Sequence, residues 1–233
     1  DYPTHAKAQS LLKFDRVLTM TSVAGGLRAT QANVLRQMRA LVAETRQRGG
    51  VDTLIIYFTG HGFEKEQKHY LAAADTRLSD LAGTGIGVEA LRGALSSVEA
   101  RQLVFFFDAC RNDPSKGGEQ LSLSDGLTKD LVEVVRRTGQ GIVSRAVFFA
   151  CSAGEKAFYS EDWQQSVFTH YLLEALTGKG ADKSGELTLT GVGDYVQKRV
   201  LAWSETRKVK QLPDFMQLGG AKENVDAVRS GAL

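Results

Sequence analysis

Cysteine is scarce, with two in 233 residues. That is too few for a disulfide scaffold and points to a reducing compartment. Histidine is scarce as well, four in all, and no His or Cys pair stands at the close spacing of a structural zinc site. An excess of either charge is missing: 29 Lys and Arg face 27 Asp and Glu, a formal charge of +2. That balance gives no reason to expect nucleic acid or an anionic membrane as partner. No apolar run approaches the roughly 20 residues of a membrane helix, and the N-terminus lacks the charged and apolar regions of a signal peptide. The expectation is a soluble, cytoplasmic domain. The chain begins at Asp1 rather than Met, which suggests a processed or excised chain whose true start is missing. Repeats and low-complexity tracts are absent. What is present is 42% hydrophobic sequence, enough for one large domain or two lobes sharing a core.

Two segments read as buried strands. Residues 53–59 (Thr-Leu-Ile-Ile-Tyr-Phe-Thr) and 102–108 (Gln-Leu-Val-Phe-Phe-Phe-Asp) are short, β-rich and continuously apolar, as strands covered on both faces are. Residues 146–151 (Ala-Val-Phe-Phe-Ala-Cys) form a third run of this kind, and residues 16–20 a weaker fourth. Helical spacing falls between and after them: Val34, Met38, Leu41 and Val42, with Thr30 as N-cap and Gly49-Gly50 as the stop; then Val88, Leu91, Leu95 and Val98. Val167, Tyr171, Leu172 and Leu176 mark a third helix, and Val192, Tyr195, Val196, Val200 and Trp203 a fourth. Alternating strands and helices predict an α/β domain with a mostly parallel sheet. Residues 112–126, rich in Gly, Ser, Asp and Lys, read as a loop. That loop divides one domain into two parts that complete a single sheet.

The chemistry-bearing residues stand where the first two strands end, and open α/β sheets gather ligands beyond the carboxyl ends of their strands. The first strand runs into Thr-Gly-His-Gly, ending at Gly62, and the second into Asp-Ala-Cys-Arg-Asn, beginning at Asp108. If the two strands are parallel neighbours, His61 and Cys110 emerge on one rim. A thiol attacks a carbonyl as thiolate, and a neighbouring imidazole can take its proton. Gly62, without a side chain, lets a substrate approach the backbone and aims an N–H at the developing oxyanion, with the Cys110 N–H as a second donor. Taken singly, a Gly-His-Gly is often a turn, and a lone strand-end cysteine a small buried hydrophobe. Together they predict a cysteine peptidase with Cys110 as nucleophile and His61 as general base.

These motifs resemble those of bacterial caspase-like peptidases, relatives of metacaspases in the caspase/gingipain clan. The caspase signature is Gln-Ala-Cys-[Arg/Gln/Gly]-Gly with the histidine about 50 residues upstream. This chain has Asp108 in place of the Gln and Asn112 in place of the final Gly. Residues 150–157 (Ala-Cys-Ser-Ala-Gly-Glu-Lys-Ala) and 166–169 (Ser-Val-Phe-Thr) are similar to the start of the smaller caspase subunit. Residues 186–189 (Glu-Leu-Thr-Leu) and 211–213 (Gln-Leu-Pro) resemble the family's C-terminal region. The likeness runs from about residue 15 to 218. It implies one caspase-like catalytic domain, with residues 1–111 like the larger subunit, 112–145 a linker region and 146–233 like the smaller subunit. Helices would flank both faces of its sheet. The family's first strand would then lie in sequence preceding the chain, with residues 6–14 the remnant of its first helix.

In metacaspases and their bacterial kin an Asp at the position of Asp108 accompanies cleavage after Arg or Lys. The charge argument agrees, because a carboxylate under the pocket attracts a cation. The alternative is that Asp108 caps the helix that follows. The second pocket carboxylate of metacaspases lies in an Asn-Asp-Ala motif that is not found here. Self-processing would use Lys116, Lys129, Arg136, Arg137 or Arg145. No cofactor or metal is expected: Glu161-Asp162 is too slight a pair to hold calcium. Cys151 reads as a packing residue, and His5, His69 and His170 as ordinary. Phe158 and Trp163 line either the substrate cleft or the core. The resemblance implies a regulated endopeptidase acting on a protein or peptide target, in bacterial stress or defence signalling. Constitutive activity and control by an activating partner, a missing N-terminal domain or processing all stay open. The alternatives are a catalytically idle caspase-like scaffold and a thiol hydrolase of small molecules.

Overall fold

The computed structural model describes residues 14–23, 25–109, 125–139 and 141–218. Helix α1 (Gln31–Gln47) begins where Thr30, in extended backbone, accepts a hydrogen bond from the Asn33 N–H. It stops before Gly49 and Gly50, both at positive φ, a backbone region that glycine enters without a Cβ penalty. The chain then enters β1 (Val51–Gly60), a hairpin of β2 (Gly62–Lys65) and β3 (Lys68–Leu71), a short helix α2 (Leu81–Thr84), β4 (Ile86–Gly87) and helix α3 (Val88–Leu95). Strand β5 (Ala100–Ala109) follows, and then α4 (Asp125–Arg137), β6 (Ser144–Phe149), a small hairpin of β7 (Tyr159–Ser160) and β8 (Gln165–Ser166), α5 (Val167–Glu174), α6 (Leu189–Thr206) and β9 (Asp214–Gln217).

The central sheet has the order β1-β5-β6-β9. β1, β5 and β6 are parallel, and β9 closes the sheet antiparallel to β6. Every residue of β5 from 102 to 109 is buried, which requires cover on both faces of the sheet. Helices α1, α3 and α4 pack in sequence against one another, and α5 packs on α6. Asp108 meets α5, and Gly193 of α6 lies so close to Phe215 that an added Cβ would stand 2.8 Å from its ring. By strand alternation Asp108, Phe106 and Val104 therefore face the α5–α6 layer.

Phenylalanines build the core between the layers. Register sets Phe106 beside Phe148 and Phe107 beside Phe149, and Phe148 beside Phe215. The ring centroids lie 4.8, 5.6 and 4.4 Å apart, the first pair tilted and the other two stacked. Burying each such ring contributes about 1.5–3 kcal/mol. The α/β architecture with a mostly parallel, helix-flanked sheet thus follows the sequence pattern.

The weak strand expected at residues 16–20 does not form. Val17 is 53% and Leu18 36% exposed, and the pairing nearby is a single bridge from Thr21 to Arg28. With no strand beside it among the described residues, an apolar segment gains no ladder hydrogen bonds. The expected remnant of a first helix falls mostly in residues 1–13, outside the described residues, as do residues 112–124 of the expected loop.

Candidate active site

Strands β1 and β5 are parallel neighbours, and their register places Thr59 beside Asp108 and Gly60 beside Ala109. His61 follows Gly60 directly, and Cys110 follows Ala109 in the sequence. Cys110 itself lies outside the described residues. The rim beyond β1 is closely built around its histidine. An added Cβ at Gly60 would stand 2.8 Å from the Phe58 ring, and one at Gly62 would stand 2.3 Å from Leu127 Cδ2. A side chain at either position would require its neighbour to shift. The His61 ring lies 6.4 Å from that of Phe63, centroid to centroid.

The hairpin fixes the direction of the Gly62 amide. Gly62 pairs with Leu71, and the Ala72 N–H donates to the His61 carbonyl at 2.8 Å. His61 therefore turns its carbonyl toward β3, and the next residue, Gly62, turns its N–H to the opposite side of β2. This N–H is therefore outside the β2–β3 ladder.

Asp108 is 1% exposed. Its Oδ2 accepts hydrogen bonds from Thr169 Oγ1 at 2.5 Å and Tyr57 Oη at 3.3 Å, and from Ser166 Oγ. Ser166 is also the N-cap of α5, accepting from the Thr169 N–H at 3.0 Å. The carboxylate thus sits at a helix N-terminus with hydroxyl donors around it. Burial, then the Asp108 charge, push the Tyr57 phenol well above its ordinary range, so Tyr57 remains a donor. The ring of Tyr57 is still 42% exposed; its hydroxyl end is the enclosed part. Among the described residues the helix end that Asp108 meets is that of α5; the segment directly after it, which the capping alternative concerns, lies outside them. Ser166, Thr169 and Tyr57 were part of the family resemblance, but no role could be read for them, since their convergence on Asp108 spans 51 to 61 residues.

The loop after β6 is tied to the C-terminal Gln-Leu-Pro. Buried Gln211 donates from Nε2 to the Ala150 carbonyl at 2.8 Å and accepts at Oε1 from the Phe158 N–H at 3.0 Å. Glu155 accepts from the Leu212 N–H at 2.7 Å, and Ser152 donates to the Leu212 carbonyl at 3.0 Å. Residues 150–157 and 211–213, two of the segments that carried the resemblance, are therefore halves of one hydrogen-bonded unit. Cys151 is 1% exposed and donates to the Glu155 carbonyl at 3.5 Å. Phe158 packs toward Trp203, and Trp163 stacks on His170 with centroids 3.8 Å apart. Both join a packed aromatic cluster.

Of the basic residues considered for self-processing, Lys129, Arg136 and Arg137 lie in α4 and Arg145 lies in β6. Lys116 is outside the described residues. Among the described residues no group of three or more His, Cys, Asp or Glu side chains is gathered as a metal site requires, and no helix is long and apolar enough to cross a membrane. A groove of about 610 Å³ lies at the amino ends of β1 and β5, lined by Arg48, Asp52, Glu99 and Arg101 among others. It is on the rim opposite His61, and its charges are mixed. The carboxyl-end rim is the better candidate because the strand-end chemistry converges there.

A family model described as caspase domain matches residues 8–223. Among solved structures, caspase-1 from Spodoptera frugiperda is similar in fold, with a TM-score of 0.53 and 15% identity over 94% of this chain and 80% of that one. A structural-genomics target from Geobacter sulfurreducens aligns with a TM-score of 0.47 and 13% identity over 87% of this chain and 77% of that one. No curated protein matches the chain significantly. With nearly its whole length matched by that model and its sheet built as the caspase sheet is, the chain belongs to the caspase domain family, within the cysteine peptidases.

Proposed function

We propose that this protein is an endopeptidase that cleaves a protein target after Arg or Lys, with Cys110 as nucleophile and His61 as general base. The observation that carries the reading is the β1–β5 register, which sets Gly60 beside Ala109, the residues immediately before His61 and Cys110. The Cys110 proton passes to His61, and the thiolate attacks the scissile carbonyl carbon. The carbonyl oxygen becomes an oxyanion that the Gly62 N–H meets. Collapse breaks the C–N bond, and His61 returns the proton to the leaving amine. Water, deprotonated by His61, then attacks the thioester, releasing the acid product and the Cys110 thiol.

Asp108 supports the basic preference. A carboxylate at the rim end of β5, ringed by hydroxyl donors, would favour a cationic P1 side chain over Asp. The same hydrogen bonds also pin α5 to β1 and β5, so Asp108 has a structural part whatever the substrate. The enzyme would work in the cytoplasm, free of cofactor, and take its control from an activating partner or an N-terminal domain.

A panel of peptide reporters with Arg, Lys, Asp or Leu at P1 tests the specificity. Turnover after Arg and Lys is expected, and a preference for Asp would exclude the acidic-pocket reading. A thiol-reactive peptide ketone, with Cys110→Ala as control, separates an enzyme from an idle caspase-like scaffold. Wild-type protein that takes no label would favour the scaffold. Thiol labelling without cleavage of any peptide would favour a hydrolase of small molecules.

A further inference from the structure

Helix α4 is seated on the β2–β3 hairpin at two points. Leu127, 2% exposed, fills the space over Gly62 that a Cβ would occupy. One turn further on, Asp130 Oδ2 lies 2.7 Å from His69 Nδ1. The other imidazole nitrogen, Nε2, faces Glu64 Oε2 at 3.4 Å, and Glu64 is the cross-strand partner of His69 in the hairpin. The His69 side chain is 8% exposed, although Glu64 and Asp130 are about half exposed, at 51% and 52%. Asp130 of the helix above thus holds one ring nitrogen by a hydrogen bond, while Nε2, buried and without a hydrogen bond among the described residues, lies at ion-pair distance from the hairpin's own Glu64. His69 links the two elements at the turn end of the hairpin, two residues along β2 from Gly62.

We infer that His69 is a positioning residue for the oxyanion donor. Through Asp130 it seats α4 on the hairpin, which keeps Leu127 against Gly62 and holds the Gly62 amide in the direction the β2–β3 ladder gives it. The proposal rests on the reading of Gly62 as oxyanion donor given above. His69 touches no reacting atom. Loss of its contact would let the first turns of α4 lift and the start of β2 move, and shifts of this size at an oxyanion donor lower turnover without weakening substrate binding.

The experiment compares His69→Ala, Asp130→Ala and Asp130→Asn by three readouts. The first is kcat and KM on a P1-Arg reporter. The second is the rate at which iodoacetamide alkylates Cys110, a displacement that forms C–S, breaks C–I and passes through no oxyanion. The third is amide hydrogen exchange in residues 62–71 and 125–137, with β5 and β6 as internal reference. Both alanine variants should lower kcat about tenfold with KM within about twofold, leave alkylation unchanged, and speed exchange in the hairpin and α4 but not in β5. Asp130→Asn keeps an acceptor for Nδ1–H and should retain most of the turnover. Wild-type kcat in His69→Ala, or alkylation falling in step with kcat, would overturn the proposal. So would unchanged exchange, whatever the activity. If His69→Ala does not fold, Asp130→Ala breaks the same contact from its more exposed side. A wild-type protein that cleaves no reporter defeats the peptidase reading alone, and exchange still decides whether His69 seats α4.

Discussion

At Gly62 two demands coincide. The sequence offers a chemical reason for the glycine, namely access to a backbone N–H, and packing supplies a second, because Leu127 occupies the place of a Cβ. Gly62→Ala should therefore lose stability as well as turnover, by about 1–3 kcal/mol for overpacking. Leu127→Ala is itself costly, because it empties a buried site, but should cost less in the Gly62→Ala chain than in wild type, and chemical denaturation of the two single variants and the double variant measures the coupling. At Asp108 the charge and the hydrogen bonds can be separated. Asp108→Asn keeps an acceptor for Tyr57, Ser166 and Thr169 but removes the charge. Preference for Arg over Leu at P1 should fall about tenfold or more, the equivalent of about 1.4 kcal/mol, and kinetics on the reporter panel would show it. Asp108→Ala should in addition destabilise the fold by about 3 kcal/mol, because it leaves buried hydroxyls without their acceptor.

Elements differ in how far the sequence discloses them. Strands β5 and β6 were legible because a parallel strand covered on both faces is continuously apolar; β1 has the same apolar pattern but is the edge strand among the described residues, with Leu54 its one buried residue, so the expectation of a buried strand there is corrected. Helix α1 was legible because Thr30 and Gly49-Gly50 punctuate it on both sides. The segment at residues 16–20 was misleading: its composition suits a strand, but a strand needs a neighbour. The β2–β3 hairpin and β9 carried no signal. Each strand has four residues, and β9 owes its existence to the free edge of β6. His69 looked ordinary for the same reason, since its partners belong to a hairpin and a helix that periodicity does not join. The Gln-Leu-Pro segment was recognisable only by resemblance, and its purpose is physical. Gln211→Ala leaves the Ala150 carbonyl and the Phe158 N–H without their partner in the interior. A loss of about 1–3 kcal/mol is expected, with faster hydrogen exchange in residues 150–158 as the check.

For the whole molecule, the phenylalanine core and the reactive rim are consequences of one arrangement. β5 is central in the sheet and buried on both faces, so its carboxyl end is held rigidly beside that of β1. Phe107→Ala should cost about 3–5 kcal/mol and lower the thermal midpoint while leaving P1 preference unchanged in the protein that remains folded. The rim owes its chemistry to residues from distant parts of the chain. His61 and Gly62 follow β1, Asp108 ends β5, and Ser166 and Thr169 open α5. The central claim is that Cys110 and His61 act as one catalytic pair. It is tested most directly by turnover of a P1-Arg reporter by wild type, Cys110→Ala and His61→Ala, with active sites counted by a thiol-reactive peptide ketone. The account predicts about one labelled site per chain and turnover in wild type, none of either in Cys110→Ala, and turnover lowered at least a hundredfold in His61→Ala. Full turnover in either variant would contradict it.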